Sequence, residues 1–335
     1  NLLKYHALVI INYRTEIKMK YKVAREEFIS ALNKLQSATP NRPTMPLLGN
    51  VLIQASDNEL VLTCTDLNMY VRCFVPAVVT KSGVTTLPIR KLLQLLKELS
   101  TPEVAIEVNE THVSLIKSGS SKFKIIGLAD DSFPEFPTAD ETLEVNFNQK
   151  MFKKSLSSVA FAVAREETRH TLSGMLFDVR DGELEIVGTD ARRLAKVNLK
   201  TSLNKQIKSR VIIPLRAVEE IIRLLNEDEE VKLSIWAYLT RVSVEVRNTC
   251  LITGLKEGKY PDYDAVFPAK EQVKHEVVVH KEELKTLLRQ VSLFASEDFS
   301  SVRFALSKNT LSLRAISDDI GEGATSMPIK YDAED

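Results

Sequence analysis

One pattern occurs three times along this chain, and it constrains the fold more than any other feature. Residues 50–66 read NVLIQASDNELVLTCTD and residues 174–190 read GMLFDVRDGELEIVGTD, an ungapped match with Leu60 over Leu184 and Thr65-Asp66 over Thr189-Asp190. Residues 301–318, SVRFALSKNTLSLRAISD, repeat it with Leu311 in the Leu60 role. Two other markers keep step: LPIRKLLQLLKEL (87–99) returns as IPLRAVEEIIRLL (213–225), and FKIIGLADDSFPEFP (123–137) as LITGLKEGKYPDYDAVFP (251–268). The offsets are 124 (Asp66 to Asp190), 126 (Pro88 to Pro214) and 127 (Pro134 to Pro261). Solenoid units run to about 20–50 residues, so the copied object is a whole small domain. Such a chain is expected to build a ring or an arch.

Within each copy the periodicity alternates between helix and strand. The first helices are expected over 25–38 (Phe28, Ile29, Leu32, Leu35 on one side), 148–163 (Met151, Phe152, Leu156, Val159) and 280–296 (Leu284, Leu287, Leu288, Val291). These spacings follow the 3.6-residue turn. A hairpin follows in each, turning at Asp57-Asn58, Asp181-Gly182 and Lys308-Asn309. Second helices begin after Pro88 and Pro214, each followed by a second hairpin, at 104–115 and 231–246. The expected fold class is therefore α+β: repeated domains of two helices on antiparallel sheets. Domains are expected at 19–139, 140–269 and 270–335, the last partial because its copy contains the first half only. Residues 1–18 are read as an extension of uncertain status, with Met19 as the natural start. With no second helix in the third copy, Leu284, Leu288, Phe304 and Leu313 are expected to be partly exposed.

Formal net charge is zero and charged residues make up 27% of the chain, which leaves partner choice to local charge. Cys64, Cys73 and Cys250 are scattered without a Cys-x-x-Cys pair, as expected of reduced thiols in a cytoplasmic protein. No apolar run approaches the length of a membrane span. The local charge that stands out is basic. Lys281, Lys285 and Arg289 share a face of one helix, and Lys150, Lys153 and Lys154 cluster on another. Arg90, Lys91 and Lys97 mark the helix at 89–99; Arg216 and Arg223 mark its copy. One such face is usually just solvated. Repetition on equivalent helices instead suggests a positive lining for phosphates. No aromatic is interleaved, so contact without base stacking is expected.

No phosphate-binding glycine loop, nucleophile elbow or His-Glu-x-x-His motif occurs. His6, His112, His170, His275 and His280 are not at ligand spacing, and neither metal nor cofactor is expected. Asp66 and Asp190 could suggest paired carboxylates, but they hold equivalent places in separate copies. Each is expected to cap a turn by accepting backbone N–H bonds.

The motifs RPTMPLLGN (42–50), Thr65-Asp66, DSFPEFP (131–137), R-x-x-L-S-G-M (169–175), TDARRLA (189–195) and YPDY (260–263) together resemble the bacterial DNA sliding clamp, the β subunit of DNA polymerase III holoenzyme. The resemblance runs from Met19 to about Tyr331. It implies three domains of the DNA clamp fold per subunit, the third incomplete here. It implies a ring-shaped homodimer around double-stranded DNA, binding without regard to sequence and without catalysis of its own. The implied partners are the DNA polymerase III catalytic subunit, an ATP-driven clamp loader and other clamp-binding replication and repair proteins. Arg42 falls on a position the family uses against DNA, and the basic helix faces fall on the inner surface. A peptide-binding pocket is implied at Arg169, Leu172, Thr189, Arg193, Leu194, Pro261 and Val266, the apolar members holding anchors and the polar ones orienting the peptide. Thr171 replaces a common aromatic there, and Ala191 a common glycine. The subunit contact is implied at Phe123 on one side and Leu293-Phe294 on the other. Two rivals are a monomeric peptide-binding scaffold that closes no ring, and a hydrolase using Asp66, Asp190 or His170.

Overall fold

The computed structural model describes residues 16–40, 42–166, 170–201, 203–226, 229–236, 240–267, 276–295 and 301–331. Two compact units divide at 260/261. The first unit contains two copies of one ten-element order. The first copy runs β1 Ile17–Ala24, α1 Arg25–Gln36, β2 Asn50–Ser56, β3 Glu59–Thr65, β4 Met69–Lys81, β5 Gly83–Pro88, α2 Ile89–Glu98, β6 Glu103–Asn109, β7 Val113–Ser118 and β8 Ser121–Ile126. The second runs β9 Thr142–Asn148, α3 Gln149–Ala160, β10 Gly174–Arg180, β11 Glu183–Thr189, β12 Leu194–Lys200, β13 Ser209–Pro214, α4 Leu215–Leu224, β14 Glu230–Trp236, β15 Arg241–Val246 and β16 Thr249–Gly254. In the second unit α5 Lys281–Ser292 precedes β17 Arg303–Ser307, β18 Thr310–Ser317 and β19 Gly321–Pro328.

The helices form where the sequence places its apolar stripes. α1 buries Phe28, Ala31, Leu32 and Leu35; α2 buries Ile89, Leu92, Leu93 and Leu96. Each of the larger side chains among these contributes about 1.5–3 kcal/mol when taken from water. α2 and α4 start directly from strands because Pro88 and Pro214, at their N-caps, keep an extended ψ. α3 is capped by Asn148 Oδ1, which accepts the Met151 N–H at 3.2 Å. The hairpin turns carry positive φ at Asp57 (48°), Asn58 (62°), Asp181 (54°) and Gly182 (78°). That is the backbone a two-residue turn needs to follow strand twist. Gly188 in β11 lets α3 approach: a Cβ there would lie 2.8 Å from Val159 Cγ1 and 2.9 Å from the Val159 carbonyl oxygen.

Among the described residues all pairings between strands are antiparallel. The two copies of the first unit share one sheet, ordered β8-β7-β6-β1-β4-β16-β15-β14-β9, with β2, β3 and β5 attached beside β4. β4 and β16 make the join, with Thr249 opposite Cys73 and Thr253 opposite Met69. β10–β13 form a second sheet in the order β12-β11-β10-β13. The linker between the copies is pinned to the join by Phe136. Its ring meets Tyr70 edge-on at 6.1 Å and lies under the Arg72 guanidinium at 3.7 Å.

In the second unit α5 lies on the sheet β17-β18-β19. Val291, Leu311, Leu313, Ala315 and Met327 are buried between them. Leu313, expected to be partly exposed, is fully buried because it faces α5. Phe304 pairs directly opposite Leu313 and shares its face, but it stands on the edge strand β17 and is exposed; Leu284 and Leu288 are half-buried. Residues 1–15 of the expected extension lie outside the described residues; Ile17 and Lys18 belong to β1. Cys64, Cys73 and Cys250 sit in β3, β4 and β16 as free thiols.

Candidate nucleic-acid interface and peptide site

The polar faces of α2 and α4 carry basic residues at equivalent places: Arg90 matches Arg216, and Lys97 matches Arg223, each 126 apart. Their apolar residues face the core, so these side chains point to solvent. Four arginines, Arg42, Arg90, Arg216 and Arg223, line one basin of about 760 Å³ beside the end of α1. Arg216 Nη1 lies 2.6 Å from Asp66 Oδ2, and its Nη2 donates to the Ser37 carbonyl at 3.2 Å. Arg223 Nη1 lies 2.5 Å from Glu220 Oε1, and Arg90 Nη2 donates to the Pro40 carbonyl at 3.3 Å. The lining contains no aromatic ring. Such a lining suits phosphate oxygens and offers nothing to stack on a base.

The remaining basic residues divide by surroundings. Lys91, Lys97, Lys150 and Lys154 are exposed, while Lys153 is half-buried and donates to Asn226 Oδ1 at 2.9 Å. In the second unit Lys281, Lys285 and Arg289 are exposed on one side of α5, and Lys285 lies 3.7 Å from Glu282.

The Thr-Asp elements fold identically in both copies. Thr65 Oγ1 donates to the Met69 carbonyl and accepts the Leu67 N–H, while Asp66 Oδ1 accepts the N–H groups of Asn68 and Met69 at 3.0 and 2.7 Å. Thr189 Oγ1 donates to the Arg193 carbonyl at 2.7 Å and accepts the Ala191 N–H at 3.0 Å. Asp190 Oδ1 accepts from Arg192 and Arg193 at 2.9 and 3.0 Å. These bonds, that from the Arg192 N–H foremost, hold the Asp190 carboxyl below the usual carboxylate range. Both aspartates are turn caps, as the sequence indicates. Both turns place a non-glycine residue at positive φ: Leu67 at 78° and Ala191 at 71°.

Of the residues implied for a peptide pocket, Leu172 and Leu194 are half-buried and Arg193 is exposed. None is plain core. The Arg193 guanidinium lies 5.6 Å from the exposed Phe161 ring, an apolar neighbour that the sequence did not single out. Thr189 is buried, and its hydroxyl is engaged inside its turn by the bond to the Arg193 carbonyl. Tyr260 reaches the Val187 carbonyl at 3.5 Å, and burial pushes its hydroxyl up to about 12. Arg169 lies outside the described residues. Pro261 and Val266 begin the second unit and are exposed.

β8 is the terminal strand of the shared sheet. Phe123 on it is 37% exposed, and Ile126, which the sequence did not flag, is 73% exposed. In the second unit Leu293 is 73% exposed, whereas Phe294 is half-buried against the unit's own sheet. Gly323 makes room for that ring: a Cβ there would lie 2.4 Å from Phe294 Cδ2. His170 is exposed. Among the described residues no group of three His, Cys, Asp or Glu could hold a metal ion. No helix among them is long and apolar enough to cross a membrane.

Known proteins resemble this chain along most of its length. Residues 19–137 match the family model for the DNA polymerase III beta subunit N-terminal domain, and residues 146–262 match its central domain. The beta sliding clamp of Chlamydia muridarum is 37% identical over 94% of this chain and 85% of that protein. The beta sliding clamp of Escherichia coli is 30% identical over 93% and 85%. Among solved structures, the DNA polymerase III subunit beta of Pseudomonas aeruginosa superposes with a TM-score of 0.89 at 28% identity, covering 95% of this chain and 85% of that one.

Proposed function

The chain belongs to the family of bacterial DNA polymerase III beta subunits, the beta sliding clamps, and on that footing we propose how its own residues perform the work of a DNA sliding clamp. Two subunits close a ring around double-stranded DNA and tether the replicative polymerase. The work is topological, so the protein must hold the duplex without gripping a sequence. The observation that carries this reading is the convergence of Arg42, Arg90, Arg216 and Arg223 on one basin whose lining holds no aromatic ring to stack on a base. Lys91, Lys97, Lys150, Lys153 and Lys154 add to this positive charge in the first unit; in the second unit Lys281, Lys285 and Arg289 make a basic face of α5. We take residues 19–139 and 140–269 as two copies of the clamp domain and 270–335 as belonging to a third.

We further propose that the β8 edge, with Phe123 and Ile126, forms one side of the homodimer contact. An exposed edge strand offers unpaired backbone groups to a partner strand. Leu293 is the candidate on the other side, and Phe294 supports it from beneath. Leu172 and Leu194 receive the apolar anchors of partner peptides from the polymerase, the clamp loader and repair proteins. Arg193 orients the peptide's polar groups.

A photocrosslinking group placed at residue 90 tests the DNA-facing assignment, with the same group at residue 245 as control. The expected result is crosslinking of duplex DNA from residue 90 only. Equal crosslinking from both would remove the assignment.

A further inference from the structure

Three arginines of the basin are already held by acceptors of this chain, and two of those acceptors are shielded carboxylates. Glu220 is 7% exposed and lies one helical turn before Arg223 on α4. The Asp66 side chain is 10% exposed beneath Arg216. The side chains above them are open to solvent, 67% for Arg223 and 55% for Arg216. A site built for tight phosphate capture would leave its guanidinium groups unneutralised. Here two acids cancel two of the four positive charges.

The acid is not common to both copies. The residue equivalent to Glu220 in the first copy is Gln94, exposed on α2 and three residues before Lys97. The same helix position therefore carries a neutral amide in one copy and a carboxylate in the other.

We propose that Glu220 and Asp66 are built-in counter-charges that weaken the basin's hold on duplex phosphates, acting as positioning residues through Arg223 and Arg216. The inference rests on the DNA-facing reading above. A phosphate oxygen reaches either arginine only by sharing or displacing an internal carboxylate. Between one phosphate and the next, the guanidinium returns to that carboxylate instead of standing unpaired. Both effects make each contact shallow and exchangeable, which a ring that must slide needs.

The test is the affinity of the full chain for a short labelled linear duplex across a salt series. Glu220→Gln installs the side chain the first copy carries. It is expected to bind about 3–10-fold tighter at low salt. The slope of log affinity against log salt should steepen by about 0.9, the value for one more neutralised phosphate. Both gains should vanish in an Arg223→Ala background. Asp66→Asn keeps the turn, because its amide oxygen accepts the same N–H bonds, and should give a gain that depends on Arg216. Circular dichroism establishes that each variant is folded. If both folded variants bind no tighter while Arg223→Ala and Arg90→Ala bind more weakly, the counter-charge inference is wrong and the DNA-facing reading stands. If the arginine variants bind as well as the unaltered protein, the reading falls and the inference with it.

Discussion

Replacing Gly188 by alanine puts a methyl group where α3 closes on β11, directly before the Thr189-Asp190 turn. The new Cβ would lie 2.8 Å from Val159 Cγ1, 2.8 Å from Val163 Cγ2 and 2.9 Å from the Val159 carbonyl oxygen. The two methyls belong to β-branched side chains, which are stiff at χ1. The carbonyl is backbone, so the end of the helix itself must shift. Overpacking of this kind costs about 1–3 kcal/mol. Removing a glycine from a strand returns about 0.5–1 kcal/mol. The expected net loss is about 1–2 kcal/mol, read as a lower denaturant midpoint. Hydrogen exchange at the end of α3 and in β11 should speed up more than exchange in α1 and β3, where Cys64 occupies the equivalent position. A midpoint equal to or above that of the unaltered protein would show that the helix is not wedged against β11, and the reasoning would be refuted.

Four further outcomes follow from the same geometry. Leu172→Ala with Leu194→Ala should weaken partner-peptide binding by about 2 kcal/mol or more with the fold intact, as truncation of desolvated anchors does; unchanged affinity by titration would remove these residues from the peptide site. Ala191→Gly should stabilise by about 1 kcal/mol, because φ of 71° strains any side chain with a Cβ; a lower denaturation midpoint would contradict it. Burial pushes the thiols of Cys64 and Cys250 up to about 12 from 9.0, so the unfolded chain ionises first and stability, intact below pH 9.0, should fall as pH climbs towards about 12. A flat stability profile across that window would contradict the assignment. For the same reason Cys64 and Cys73 should resist alkylation until the protein is unfolded, and rapid labelling of either in the native state would show that β3 and β4 open locally.

Much of the fold is legible from the sequence because its signals are local. The 3.6-residue spacing of Phe28, Leu32 and Leu35, and of Leu215, Val218 and Ile221, marks helices that the structure contains. The turn pairs Asp57-Asn58 and Asp181-Gly182 fix hairpin register. The side chains of Asp66 and Asp190 cap their own turns within three residues. What was not legible is non-local or runs against residue type. β4 alternates Met69, Val71, Cys73 and Val75, but nothing in that run says that it pairs with β16 and fuses two copies into one sheet. The Arg216–Asp66 contact spans 150 residues. Ala191 and Leu67 adopt a backbone conformation their side chains disfavour, so composition points away from it. β19 reads GEGATSMP, with little apolar alternation, yet pairs along its length with β18 and supports Phe294 through Gly323. Glu220 reads as a solvated helix residue until Arg223 is seen above it.

The protein is expected to hold DNA by encircling it. The most direct measurement assembles the protein on closed circular duplex with a clamp loader and ATP. Unbound protein is then removed by gel filtration, and the retained protein is counted before and after a single double-strand cut. Encirclement gives stable retention on the closed circle and rapid loss once the DNA has ends, at the same salt and DNA mass. Equal retention on circular and linear DNA would contradict it, because contact alone would then be holding the duplex.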